Sequence, residues 1–252
     1  MREQNTLDRA TYVLAQACMK KNGFSWPAPL PLMGTPRSPN ERRYGVLSEP
    51  TVAEYGYQLP PALGVTRKQA QDRIRGEEKR KKKMTAAMTT AYTGESGDGS
   101  RTDPQGGCYG RARSSLGISD QQMSGSSLVA QITTETWERT RQDARAMEAD
   151  RAWSACMQRT GYRYSNPHEA AADPRWVPHG RPDFLKRPSG AEIETAEADI
   201  RCKRKVSYVA IWQRVETTFQ IQSIATHETA LARYRAAWKH SLAKSTKVLH
   251  QA

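Results

Sequence analysis

Hydrophobic positions recur at helical spacing along this chain, in stretches set apart by proline and glycine. Residues 2 to 22 contain neither breaker, and Leu7, Ala10, Leu14 and Cys18 fall 3-4-4 apart on one helical face. A helix-compatible stretch runs from Thr66 to Ala91, and a short helix is expected from Cys108 to Leu116. Ser126 to Thr160 is again free of Gly and Pro and predicts one long helix ending at Gly161. Ala191 to Ala252 continues for 62 residues without either breaker. There Tyr208, Ile211, Val215 and Phe219 form one 3-4-4 stripe, and Leu231, Tyr234, Trp238 and Leu242 form a second, offset around the axis. A straight helix of that length would extend ~93 Å at 1.5 Å per residue. The offset therefore predicts one curved helix, or two with a break between Ser223 and Thr229.

Between these stretches the chain changes character. Residues 27 to 64 carry Pro27, Pro29, Pro31, Pro36, Pro39, Pro50, Pro60 and Pro61, which exclude a long helix and predict an irregular wrap anchored by Tyr44, Tyr55 and Tyr57. Residues 165 to 190 repeat the theme with Pro167, Pro174, Pro178, Pro182 and Pro188. Residues 94 to 107 read as a glycine-rich loop.

Two helix ends are alike. Ala17-Cys18-Met19 is followed by Gly23-Phe24 and then Trp26; Ala155-Cys156-Met157 is followed by Gly161-Tyr162 and then Tyr164. Glycine just past a helix adopts the left-handed conformation that stops it, and the next residue packs back onto the position four before the glycine. That rule pairs Phe24 with Met19 and Tyr162 with Met157. The expected fold is mainly α: a helical body with a duplicated Cys-containing helix motif, proline-rich irregular connections and a long C-terminal helix or helix pair. The expected organisation is 1–117, a first Cys-helix unit with its proline-rich wrap, and 118–252, a second unit with the long C-terminal helix, forming one cooperative body.

Composition narrows the function classes. Only 37% of residues are hydrophobic, and the mean hydropathy is −0.80. Thirty-nine basic against 26 acidic residues leave a formal charge of +13, which predicts attraction to polyanions. The charge concentrates in Lys79, Arg80, Lys81, Lys82 and Lys83 and in the run that includes Lys203, Arg204 and Lys205. No apolar run reaches the ~18 residues a bilayer span needs.

The four cysteines, Cys18, Cys108, Cys156 and Cys202, lack the close Cys-x2–4-Cys pair of structural zinc sites. Free thiols and disulfides are the remaining readings. Treating the two halves alike favours 18–108 with 156–202, or 18–156 with 108–202; the first gives each glycine-ended helix its own downstream partner. Catalytic signatures are missing. His168, His179, His227, His240 and His250 form no close metal pair, and no His-Glu-x-x-His, Gly-x-Ser-x-Gly or P-loop pattern occurs. Gly106-Gly107-Cys108-Tyr109-Gly110 looks like a phosphate-binding turn but follows no strand, so it reads as a flexible lead-in to a helix. Glu192, Glu194, Glu197 and Asp199 read as acidic residues at a helix start, favoured by its dipole. No catalytic residue, cofactor or metal is expected.

Cys-Met-x-x-x-Gly-Phe/Tyr, Arg42-Arg43-Tyr44-Gly45, Gly107-Cys108, Trp153-x-x-Cys156-Met157 and Ala196-x-Ala198-Asp199-x-x-Cys202 occur here in this order. In this the chain resembles a family of uncharacterised secreted proteins and lipoproteins of actinomycete bacteria. The resemblance implies an extracytoplasmic, envelope location and brings no activity. Members typically begin with a signal peptide; Met-Arg-Glu-Gln-Asn-Thr-Leu-Asp has neither a basic n-region nor an apolar h-region. The expectation is a non-catalytic envelope or secreted protein that binds an anionic wall polymer, lipid surface or acidic protein through basic helical faces. A cytoplasmic nucleic-acid-binding protein, with four free cysteines, is the alternative; a hydrolase with dispersed catalytic residues ranks below both.

Overall fold

A computed structural model describes residues 2–30, 33–35, 37–38, 40–118, 120–176 and 187–251. Pro31, Pro36, Pro39, Pro178, Pro182 and His179 lie outside the described residues. The elements, in chain order, are α1 (Arg2–Lys21), α2 (Glu49–Tyr55), α3 (Arg67–Lys81), α4 (Ala86–Thr93), α5 (Gly107–Ser115), α6 (Asp120–Gln142), α7 (Ala144–Arg159), α8 (Pro167–Ala171), α9 (Gly190–Lys205), α10 (Tyr208–Thr226) and α11 (Glu228–Gln251). Extended pairing among the described residues amounts to two isolated bridges, Thr35 with Leu63 and Glu95 with Arg101. The fold is mainly α, and it carries a long C-terminal helix.

Three of the expected long helices are divided, each by a local cause. The stretch from Thr66 to Ala91 breaks into α3 and α4, because the Thr85 side chain accepts the Met88 amide and starts a new helix. The stretch from Ser126 to Thr160 breaks at Asp143, whose carboxylate caps the Arg145 amide. The C-terminal stretch breaks at His227, inside the expected window, and again at Ser207, which takes a positive φ of 53°. The second break places Tyr208 and Trp212 of α10 in the same buried cluster as Trp153 of α7 and Cys202 of α9.

The chain forms two compact units. One comprises Met1–Pro31, Asp72–Gln131 and Thr226–Ala252; the other comprises Leu32–Gln71 and Ile132–Ala225. Each draws on both sides of residue 117, and each holds one disulfide.

In the first unit α1 packs against α5 and α11, and α4 against α5. Leu7, Ala10, Thr11, Ala15 and Met19 make the buried face of α1. Cys18, at the end of α1, is bonded to Cys108, at the start of α5, with Cα atoms 5.6 Å apart. Trp26 stacks on Tyr92 with ring centroids 4.1 Å apart. The Gly-Gly turn before Cys108 is a packing device: a Cβ on Gly107 would lie 2.5 Å from both the Tyr92 carbonyl oxygen and the Gly94 nitrogen.

In the second unit α9 packs against α2, α7 and α8. Trp153, Met157, Tyr208 and Trp212 are among its largest fully buried side chains. Cys156, near the end of α7, is bonded to Cys202 on α9, again with Cα atoms 5.6 Å apart.

The duplicated motif has one geometry in both units. Gly23 and Gly161 take φ of +78° and +92°. Phe24 N–H donates to the Met19 carbonyl at 2.9 Å, and Tyr162 N–H to the Met157 carbonyl at 3.0 Å. Gly23 N–H reaches the Lys20 carbonyl and Gly161 N–H the Gln158 carbonyl, both at 3.1 Å, completing a Schellman pair in each copy. The second aromatic is buried in both, as Trp26 and as Tyr164. A Cβ at Gly161 would touch nothing within 4 Å, so its replacement tests backbone conformation alone. Gly161→Val should lower stability by about 1–2 kcal/mol, the cost of left-handed backbone for an L side chain, measured by urea unfolding. An unchanged midpoint would show that the cap does not hold α7.

Candidate functional site

The first basic run lies at the end of α3, a helix with no buried residue. Lys79, Lys81, Lys82 and Lys83 are exposed and form no ion pair among the described residues. Arg80 differs: its Nε donates to Glu77 at 2.7 Å and its Nη1 to the Pro27 carbonyl at 3.4 Å, so it braces the proline-rich segment. Cations in a last helical turn also favour the dipole. That alone accounts for Lys79 and Lys81 but leaves Lys82 and Lys83, beyond the helix, unexplained.

The second run does not lie wholly on the surface. Lys203 is 2% exposed, and its Nζ donates to Asp199 Oδ2 at 3.0 Å and to the Val46 carbonyl at 3.2 Å. Arg204 pairs with Glu49. Both Arg204 and Lys205 are exposed. Asp199, expected at a helix start, sits inside α9 with no exposure, and its Oδ1 accepts the Trp153 indole N–H at 2.9 Å. Burial raises the Asp199 carboxyl and lowers the Lys203 ammonium, and each partner's charge opposes the other's shift. A Cβ at Gly45 would lie 2.6 Å from Lys203 Nζ. Beside it, Arg43 Nε donates to Glu216 Oε1 and Tyr44 O–H to Glu216 Oε2, each at 2.9 Å. Half-buried Arg43-Tyr44-Gly45 thus packs over a buried framework of Trp153, Asp199 and the Cys156–Cys202 bond. These short sequence motifs serve the construction of this unit.

The same unit has an open cleft of about 490 Å³ between the end of α6, α7, α8 and α10. Trp137 and Trp212 supply indoles whose centroids are 4.9 Å apart at 41°. His168 stands edge-on to Trp137, 5.1 Å away at 87°. Behind them Tyr208 stacks on Trp212, and the Arg43 guanidinium sits 4.8 Å from the Trp137 ring centre. Arg141, Arg151 and Met147 form the rim, with Asp150, Ser165 and Asn166 on the walls.

The titratable groups of the cleft have assigned surroundings. Asp150 Oδ1 accepts the Tyr208 hydroxyl at 2.8 Å, and burial raises its carboxyl. Desolvation, with Lys203 and Arg141 nearby, lowers the His168 imidazole and favours its neutral form. Asn166 is the N-cap of α8; its Oδ1 accepts the amides of His168 and Glu169, fixing where the imidazole stands. The Trp212 indole N–H lies near the Tyr208 hydroxyl but makes no hydrogen bond of ordinary geometry.

No family model, curated protein or solved structure matches this chain. The geometry alone therefore carries the functional argument. Among the described residues no three His, Cys, Asp or Glu side chains gather as a metal would require, and no helix is long and apolar enough to cross a membrane. Both disulfides are compatible with an extracytoplasmic location, and no cysteine is free. Sequence reasoning missed the cleft because Trp137, His168 and Trp212 come from three helices. It placed Lys203 on the surface because five consecutive residues, 201 to 205, include four bases. Helical spacing held the contrary signal: Asp199, Cys202, Lys203 and Val206 share one stripe, and a bonded Cys202 turns that stripe inward.

Proposed function

We propose that this protein is a non-catalytic component of the cell envelope or secreted fraction that adheres to an anionic polymer through the lysines at the end of α3. The observation that carries this reading is the exposure of Lys79, Lys81, Lys82 and Lys83 beside a helix that buries nothing. Lysines that have no carboxylate partner among the described residues are available to an external polyanion. The formal charge of +13 adds a long-range attraction of the same sign. The disulfides favour this reading over a cytoplasmic nucleic-acid binder, for which four free thiols are expected.

Attraction of this kind is screened over ~8 Å at physiological ionic strength, so retention should fall steeply with salt. Near an anionic surface each basic side chain contributes about 1 kcal/mol. The triple charge reversal Lys81→Glu, Lys82→Glu, Lys83→Glu should therefore weaken binding roughly a hundredfold or more, with the circular dichroism spectrum unchanged. Co-sedimentation with isolated cell envelopes across a salt series measures both effects. Retention that ignores salt and charge reversal alike would overturn the proposal, and breakdown of the polymer during the assay would make the protein an enzyme.

A further inference from the structure

The cleft in the second unit is built from different residues than the lysine surface and has its own chemistry. Its volume of about 490 Å³ lies within the roughly 300–1,000 Å³ of small-molecule sites. Trp137, His168 and Met147 give it apolar surface, with the buried Trp212 packed behind, while Asp150, Ser165 and Asn166 supply polar atoms. Arg141 and Arg151 stand at its rim with more than half of each side chain exposed. Their present partners are exposed too: Glu138 for Arg141 and Glu148 for Arg151, each three residues away on the same helix. Exposed pairs of that kind hold their members weakly, so either guanidinium can turn to an incoming anion and accept it on two parallel N–H groups.

The shape of the floor selects among anionic ligands. His168 stands at 87° to Trp137, so the surface is faceted. A flat base can lie on one facet at most. The puckered ring of a sugar offers C–H groups on several sides and hydroxyls at its edge. The hydroxyls match the polar atoms of Asp150, Ser165 and Asn166. We propose that this cleft binds a saccharide unit carrying an anionic group, either a carboxylate or a phosphate, with Trp137 and His168 under the ring and Arg141 and Arg151 on the anion.

The site is independent of the lysine run, and the experiment separates the two. Quenching of tryptophan fluorescence is followed in titrations with trigalacturonate, glucose 6-phosphate, maltotriose and adenosine monophosphate. At least one acidic sugar should quench saturably, and which of them does so identifies the anionic group. Maltotriose should bind roughly tenfold more weakly or worse, because it lacks the charge that the guanidiniums take. The double variant Arg141→Ala, Arg151→Ala should lose the same factor for the acidic sugar. Its thermal midpoint should not move, since both side chains are exposed. The Lys81→Glu, Lys82→Glu, Lys83→Glu variant should bind the acidic sugar as the parent does. The proposal is overturned by any one of four results: no saturable response to either acidic sugar at millimolar concentration, equal affinity for maltotriose, tighter binding of adenosine monophosphate, or no effect of the arginine replacements.

Discussion

Lys203→Met should cost about 3–5 kcal/mol of folding stability, although the residue lies in a run of bases that looks like solvent-exposed helix. That range is what removing one partner of a buried ion pair costs, because the other charge stays behind without compensation. Here the stranded group is Asp199, which is fully buried, and the Val46 carbonyl loses its donor as well. The variant Asp199→Asn, Lys203→Met should recover a good part of the loss: the new amide carries no charge, and its oxygen can still accept the Trp153 indole N–H. Urea unfolding of the parent, the single and the double variant measures both steps. A single-variant loss below ~0.5 kcal/mol, the scale of ordinary surface substitutions, would mean that Lys203 is not buried as described.

Removing the disulfides should have an effect of comparable size. The Cys18–Cys108 bond closes 90 residues and Cys156–Cys202 closes 46. In the chain-entropy model each is worth about 4–5 kcal/mol. Total stabilities of domains are roughly 5–15 kcal/mol, so full reduction should bring the protein to the edge of unfolding. Cys156→Ala, Cys202→Ala should lower the unfolding free energy by about 4 kcal/mol, read from denaturant unfolding without reductant. Peptide mapping under non-reducing conditions checks the connectivity; four alkylatable thiols in protein from its native host would refute it.

The parts of this structure that were legible in sequence are those encoded within a few residues. Gly23 and Gly161 announce their caps because the conformation that stops a helix depends on one glycine and its immediate neighbours. The likeness of the two motifs narrowed the disulfide pairing to two, and the structure has the one that gives each glycine-ended helix its own downstream partner. Helix interruptions were harder to read. Thr85 and Asp143 stop or restart helices through single side-chain hydrogen bonds, and such residues also occur within helices. Ser207 gives no warning, since a serine with φ of 53° is held there by the packing of α9 and α10 around Trp153. The cleft was illegible for another reason. Trp137, His168 and Trp212 become neighbours only through tertiary packing, and no spacing rule connects them.

The pairing of the cysteines has a consequence for biogenesis. The native bonds join the first cysteine to the second and the third to the fourth. A chain passing N-terminus first into an oxidising compartment presents its thiols in that order, so each pair can close before the next cysteine arrives. Cys18 would be tied to Cys108 while α11, which packs on α1, is still to come. The bond would then hold α1 beside α5 as a platform on which the last helix docks. Correct maturation would require only an oxidant that acts on successive thiols, with no isomerase to rearrange them.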